Sequence, residues 1–184
     1  IGMLVVLAVT PEHDTGTIGT SLVFVPARTR LLAAKAVVVA GFGLLVSAAT
    51  AVLSFTVVQL MLHGAGLPAA RPGSPGVVRA LVSGTLYLTL IALLGVAVGA
   101  RARSATSSLA VLVGATLLVP ALGPGLPGVL GDWFARYWPI TAGQASYTVV
   151  PVDGMIAPGA GLAVLAIAAA ATSVASHLAF RVRD

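Results

Sequence analysis

Cysteine is absent from the 184 residues, and Asp, Glu, Lys and Arg together make up only 8% of the chain. The first absence excludes a disulfide framework and any thiolate metal site. The second excludes a soluble domain of this size, because such domains place charge on about a quarter of their residues to cover the surface. No Gly-rich phosphate loop of the GxxxxGK[ST] kind occurs, so ATP hydrolysis by that route is not expected of this chain. His13, His63 and His177 are far apart and have no carboxylate or second histidine at ligand spacing, which argues against a metal centre.

What fills the chain is apolar. Hydrophobic residues account for 58%, and the mean hydropathy is +1.06, a composition suited to lipid. The ten basic residues against five acidic ones give a net charge of +5. They punctuate the apolar runs instead of forming a continuous basic face, so nucleic acid is not an expected partner.

These runs predict an all-α, polytopic transmembrane helix bundle. Residues 36–62, 80–100, 104–122 and 159–180 contain no Asp, Glu, Lys or Arg and reach or approach the roughly 20 residues that a helix needs to cross a bilayer. Residues 1–9 are apolar but too few to cross, and are expected to be the end of a span that starts earlier. Between them, 63–79 carries Pro68, Pro72 and Pro75 with four glycines and reads as a loop. Residues 123–158 hold Trp133, Phe134, Tyr137, Trp138 and Tyr147 and read as an aromatic loop at the headgroup layer. Residues 1–184 are thus expected to form a single membrane domain.

Basic residues also predict orientation, since short loops rich in Lys and Arg stay in the cytoplasm. One side carries Arg28, Arg30, Lys35, Arg101, Arg103, Arg181 and Arg183; the other carries Arg71, Arg79 and Arg136. The majority side, with the C-terminus, is expected to be cytoplasmic. The Gly95/Gly99 pair and the Ala-rich last span suit close helix packing in lipid. Gln59 and Tyr87 are the most polar large groups inside the spans, and packing hydrogen bonds are their expected role, with a substrate path as the alternative.

Residues 10–35 differ from the rest. They are too polar to span, yet Ile18, Leu22 and Val25 fall on one helical face, next to Thr17, Thr20 and Ser21. Pro26 is expected to stop this short amphipathic helix, and Arg28, Arg30 and Lys35 then mark re-entry into the membrane, where basic side chains reach lipid phosphates.

The order Glu12, Thr15, Gly16, Thr17, Ile18, Leu22, Pro26, Arg28, Arg30, Lys35 resembles the cytoplasmic loop of bacterial ABC transporter permeases of the ABC-2 exporter type. The stretch YWPITAGQA, with Tyr137, Trp138, Pro139, Gly143 and Gln144 after Trp133, is similar to that family's outer-loop segment. Asp14 and Gly19 depart from the pattern, where family members often carry a basic residue. The resemblance implies six spans in the full-length protein and a bacterial plasma-membrane location. It also implies a second permease copy or homologue completing a dimer, and a separate ATPase subunit docked on the loop. ATP and Mg would be bound by that partner, and this chain would be neither an enzyme nor the holder of a cofactor. An interfacial helix lying on the membrane is the simpler reading of the same loop.

Two other classes stay open. A secondary transporter or channel would place an ionisable group at mid-membrane; the acidic residues here fall in loops or at the end, so its drive site would have to lie before Ile1. An intramembrane enzyme would need a nucleophile paired with a base. Ser47, Ser54 and Ser83 lie in spans, but serine there more often bonds the backbone.

Overall fold

A computed structural model describes residues 28–101, 105–149 and 154–181. Glu12, Thr15, Gly16, Thr17, Ile18, Leu22 and Pro26, with the expected amphipathic helix, lie outside them. For Arg28, Arg30 and Lys35 the helical backbone is described and the side chains are not.

Helix α1 covers Arg28–Gly64 and helix α2 Val77–Arg101. Helix α3 occupies 105–122 in three registers: α-helix Ala105–Val113, a π-helical turn Gly114–Leu118, and α-helix again over Val119–Leu122. The short helices α4, Val129–Tyr137, and α5, Pro139–Gln144, precede a 3-10 turn at Ala145–Tyr147. Helix α6 is Pro158–Arg181. Among the described residues there is no strand. Four stretches are long and apolar enough to cross a membrane, namely Ala40–Gly64, Val77–Val98, Thr106–Gly125 and Pro158–Ser176. The chain is a multispan α-helical membrane protein.

The pattern of burial is that of a bundle made for lipid. On α1, Gly43 and Ser47 are buried, while Phe42, Leu45, Leu53, Leu60 and Met61 are exposed. Small residues in the seam let backbones approach closely, and large apolar ones face outward, because hydrocarbon solvates a leucine as well as another helix does.

Helix α2 is the hub. It packs against α1 on one side and α6 on the other, and also meets α3, α5 and the 145–147 turn. Against α1 the closest approach is at Gly43, where an added Cβ would lie 3.6 Å from the Ala92 Cβ. Against α6, the Ser176 hydroxyl donates to the Ala97 carbonyl at 2.8 Å, a bond between helices. Leu165 lies level with Tyr87, both touching the space beside Gly143, and Ser176 lies level with Ala97. Helix α6 therefore runs parallel to α2. One end of the bundle, the loop end, carries 65–76 and 123–149; the opposite, arginine end carries Arg28, Arg101 and Arg181.

Two expectations change in detail. Helix α1 does not begin at residue 36 but runs unbroken from Arg28. Its 37 residues measure about 55 Å at 1.5 Å each, beyond the roughly 40–45 Å of a whole bilayer, so the helix stands out of the membrane. Residues 123–158 are not simply a loop. Proline occupies the first position of α5, where it has no N–H to waste, and Gly128 adopts a positive φ of 68° ahead of α4. These residues punctuate short helices rather than exclude them.

Helix α5 is wedged between α2 and α6, with Ile140, Ala142 and Gly143 buried. The core of the molecule lies here: Tyr87, Ile140 and Leu165, with Leu88, Ile91, Leu94, Trp138 and Leu162 packed on them. Two glycines make the wedge possible. A Cβ at Gly143 would meet Leu165 at 2.8 Å and Tyr87 at 2.9 Å, and one at Gly161 would collide with the Ala142 backbone oxygen. A backbone cannot yield as a side-chain tip can. Gly161→Ala should therefore cost about 1–3 kcal/mol, seen as a lowered melting temperature in detergent. Gly159→Ala, which meets nothing within 4 Å, should melt as the parent does; equal effects at the two positions would contradict the wedge.

Candidate functional site

A cleft of about 330 Å³ opens between α1 and α2. Thr50, Ala51, Ser54 and Phe55 form one wall, and Val77, Leu81, Gly84, Tyr87 and Leu88 the other. Tyr147 and Val149, from the segment after α5, reach its side. The seam is closed where Gly43 meets Ala92 and parts toward the loop end. Two aromatic rings hold it apart: Tyr87 and Tyr147 stand edge to face with centroids 5.3 Å apart. The Tyr87 phenol shares a hydrogen bond with the Gln144 side chain.

Two threonine hydroxyls at or near the cleft are already engaged. Thr50 donates to Val46 O at 2.8 Å, and Thr85, next to Gly84, donates to Leu81 O at 2.8 Å. Ser47 is different. It lies on the same face of α1 one turn deeper than Ala51, is 0% exposed, and its Oγ has no partner.

The second feature is the hairpin of α4 and α5. Pro139 forces the residue before it toward extended backbone, and Trp138 accordingly has φ −58° and ψ 130°. This break reverses the chain into the bundle. Thr141 ties it, its hydroxyl 3.1 Å from both Phe134 O and Trp138 O, and Trp138 O also accepts from Ala142 N at 2.8 Å.

Trp138 makes the contact that joins the hairpin to α3. Its indole Nε1 donates to Ala115 O at 2.9 Å. In the π register each N–H pairs five residues back, as Val119 does with Gly114 O. The next pair would be residue 120 with Ala115, but residue 120 is proline and has no N–H. Pro120 thus leaves Ala115 O open inside a span, and Trp138 supplies the missing donor.

No protein-family model matches this chain, and no curated protein or solved structure does either.

The positions singled out in the sequence separate into two groups. Trp133 and Tyr137 are exposed on α4, the arrangement expected of headgroup aromatics, whereas Trp138 and Gln144 are half-buried and Gly143 is buried. Pro139 starts the inward turn. Gln59 and Tyr87 both make hydrogen bonds: Gln59 Oε1 accepts from Ala70 N at 2.7 Å and ties the 65–76 loop to α1, and Tyr87 also lines the cleft. Ser54 lines it too. Gly95 is buried in α2. Sequence reasoning missed the Trp138–Ala115 bond, although Pro120 inside an apolar run was its signal, and the unpartnered Ser47.

Two predictions follow from these bonds. Trp138→Phe should cost about 1–3 kcal/mol, the penalty for orphaning a buried carbonyl plus lost contact area. In a Pro120→Ala background, where residue 120 again offers an N–H, that cost should shrink by about 1 kcal/mol; strict additivity of the two substitutions would mean the indole bond does not depend on the proline. Ser47→Ala removes a hydroxyl that bonds nothing and should leave the melting temperature level or raise it. Ser176→Ala, which breaks the bond between α2 and α6, should lower it by the equivalent of about 0.6–1.7 kcal/mol.

Proposed function

We propose that this chain is the membrane-spanning permease subunit of an ATP-driven exporter of the ABC type, working as half of a dimer. The observation that carries the proposal is the continuity of α1. The segment with the permease-like order Glu12 to Pro26 leads into a helix that runs without interruption from Arg28 to Gly64 and forms one wall of the cleft. A push at residues 12–25 by a docked ATPase would tilt this rod as a rigid body. The hairpin end offers little give, because α5 is held between α2 and α6 by glycine contacts, so the displacement is taken up at the α1–α2 seam.

The lack of acidic or basic side chains at mid-depth supports an external energy source. Within the four candidate spans the only Asp, Glu, Lys or Arg is Arg79, in the first turn of α2, and the one histidine, His63, lies in the last turn of α1. ATP and Mg are assigned to the partner, and this chain is assigned no catalysis and no cofactor. The arginine end, with the C-terminus, faces the cytoplasm in this reading, and the membrane is a bacterial plasma membrane.

These 184 residues contain no cysteine, so a single cysteine can be placed among them as a label site. A membrane-impermeant maleimide added to intact cells should label Ala70→Cys and leave Thr15→Cys unmodified until the cells are opened; labelling of Thr15→Cys in intact cells would put the docking segment in the wrong compartment. A Gly16→Trp/Thr17→Trp chain should keep its melting temperature while co-purifying ATPase activity falls at least about tenfold, as for a lost interface hot spot. Undiminished ATPase recovery would remove the coupling role.

A further inference from the structure

We propose that the cleft between α1 and α2 is a binding site for one acyl chain of an anionic phospholipid from the surrounding bilayer, with the headgroup held by Arg71 and Arg79. This does not rest on the permease reading, since it requires only that the chain sit in a membrane.

The dimensions match a lipid tail. Along α2 the lining extends from Val77 to Leu88, about 16 Å at 1.5 Å per residue, close to the roughly 15 Å depth of one hydrocarbon leaflet. The volume of about 330 Å³ lies at the small end of ligand sites, which start at about 300 Å³. It suits one chain rather than a whole lipid. The mouth is at the loop end, where spans meet the headgroup layer, and the floor is closed by the Gly43–Ala92 contact. Walls of Ala51, Phe55, Leu81 and Leu88 offer hydrocarbon, and the Thr50 hydroxyl is satisfied internally. The cleft is flanked by exposed apolar side chains, Val57 and Val58 on α1 and Val78 and Val82 on α2. It is therefore continuous with the lipid-facing surface.

Charge selects the headgroup. Arg79 lies in the first turn of α2 and Arg71 in the loop that Gln59 ties to α1, both at the end of the bundle toward which the cleft opens. Both are exposed. No acidic residue occurs anywhere from Thr15 to Gly131, so nothing on α1, α2 or their loop neutralises them. Arginine side chains near a span end reach the interface while their stems stay in hydrocarbon, and each attracts anionic lipid.

The test uses the full chain, delipidated in mild detergent and then offered phosphatidylglycerol or phosphatidylcholine, with bound lipid counted by native mass spectrometry. The unsubstituted protein should retain one phosphatidylglycerol, preferred over phosphatidylcholine by about tenfold or more. Ala51→Trp, which fills the cleft, should lose the retained lipid, and Arg71→Gln/Arg79→Gln should still bind a lipid but without preference. No retained lipid, or equal retention of both lipids by the unsubstituted protein, would overturn the proposal and needs no variant to fold. Retention unchanged in a folded Ala51→Trp chain would overturn the location, and preference unchanged in the double arginine variant would overturn the headgroup assignment.

Discussion

Within hydrocarbon there is no water to complete a backbone hydrogen bond, and each group left open costs several kcal/mol. The irregular parts of this chain are arranged around that constraint. Pro120 deletes a donor in the middle of a span, the helix widens into a π turn, and the carbonyl so exposed is met by an indole from another element. Where α4 ends and α5 begins, the Thr141 hydroxyl reaches the Phe134 carbonyl, and Trp138 O accepts from the Ala142 amide. At the loop end Gln59 satisfies the amide of Ala70. Threonines along the spans turn back on carbonyls four residues earlier, as Thr56, Thr85, Thr89 and Thr172 do. The hairpin is thus fastened to α3 at the carbonyl whose donor Pro120 removes.

The second organising effect is steric. With no hydrophobic drive between helices in lipid, contact depends on how near two backbones can come. Gly161 lets α6 close on the Ala142 carbonyl, Gly143 admits Leu165 and Tyr87 edge to edge, and Gly43 admits Ala92. The cleft begins where this run of small residues gives way to Phe55, Tyr87 and Tyr147. It is a gap held open by aromatic bulk, next to a seam closed by its absence.

Much of this was legible in the sequence. Long stretches without acidic or basic residues located the four spans, because a charge in hydrocarbon is costly at any register and the signal needs no knowledge of neighbours. The prolines at 68, 72 and 75 located the first loop for an equally local reason. The hairpin was harder. Its prolines and glycines read as loop signals, and whether such residues break a helix or merely start and cap one depends on what packs against them. Trp138 shows the limit most clearly: as an aromatic near a span end it reads as a headgroup anchor, a role suited to exposed Trp133, yet its indole faces a carbonyl 23 residues away. Pro120 announced a missing donor without saying who would replace it. The coupling segment, read through resemblance and helical spacing alone, lies outside the described residues.

These two effects give the bundle unequal stiffness. Helices α2, α5 and α6 are locked by backbone-to-backbone contact and by the Ser176 bond, and α3 is fastened to the hairpin. Helix α1 is bound to the rest chiefly through α2, and its large side chains face outward. It is also the helix that stands out of the membrane at the arginine end, so a force applied there has the longest arm and meets the least resistance. A lateral tilt of α1 would change the α1–α2 gap before it disturbed any glycine contact around α5, which makes the cleft the part of the described structure most responsive to what happens at residue 28. An acyl chain lodged in the gap would resist its closing, and the state of α1 would then depend on the lipid around it as well as on any protein that pushes it.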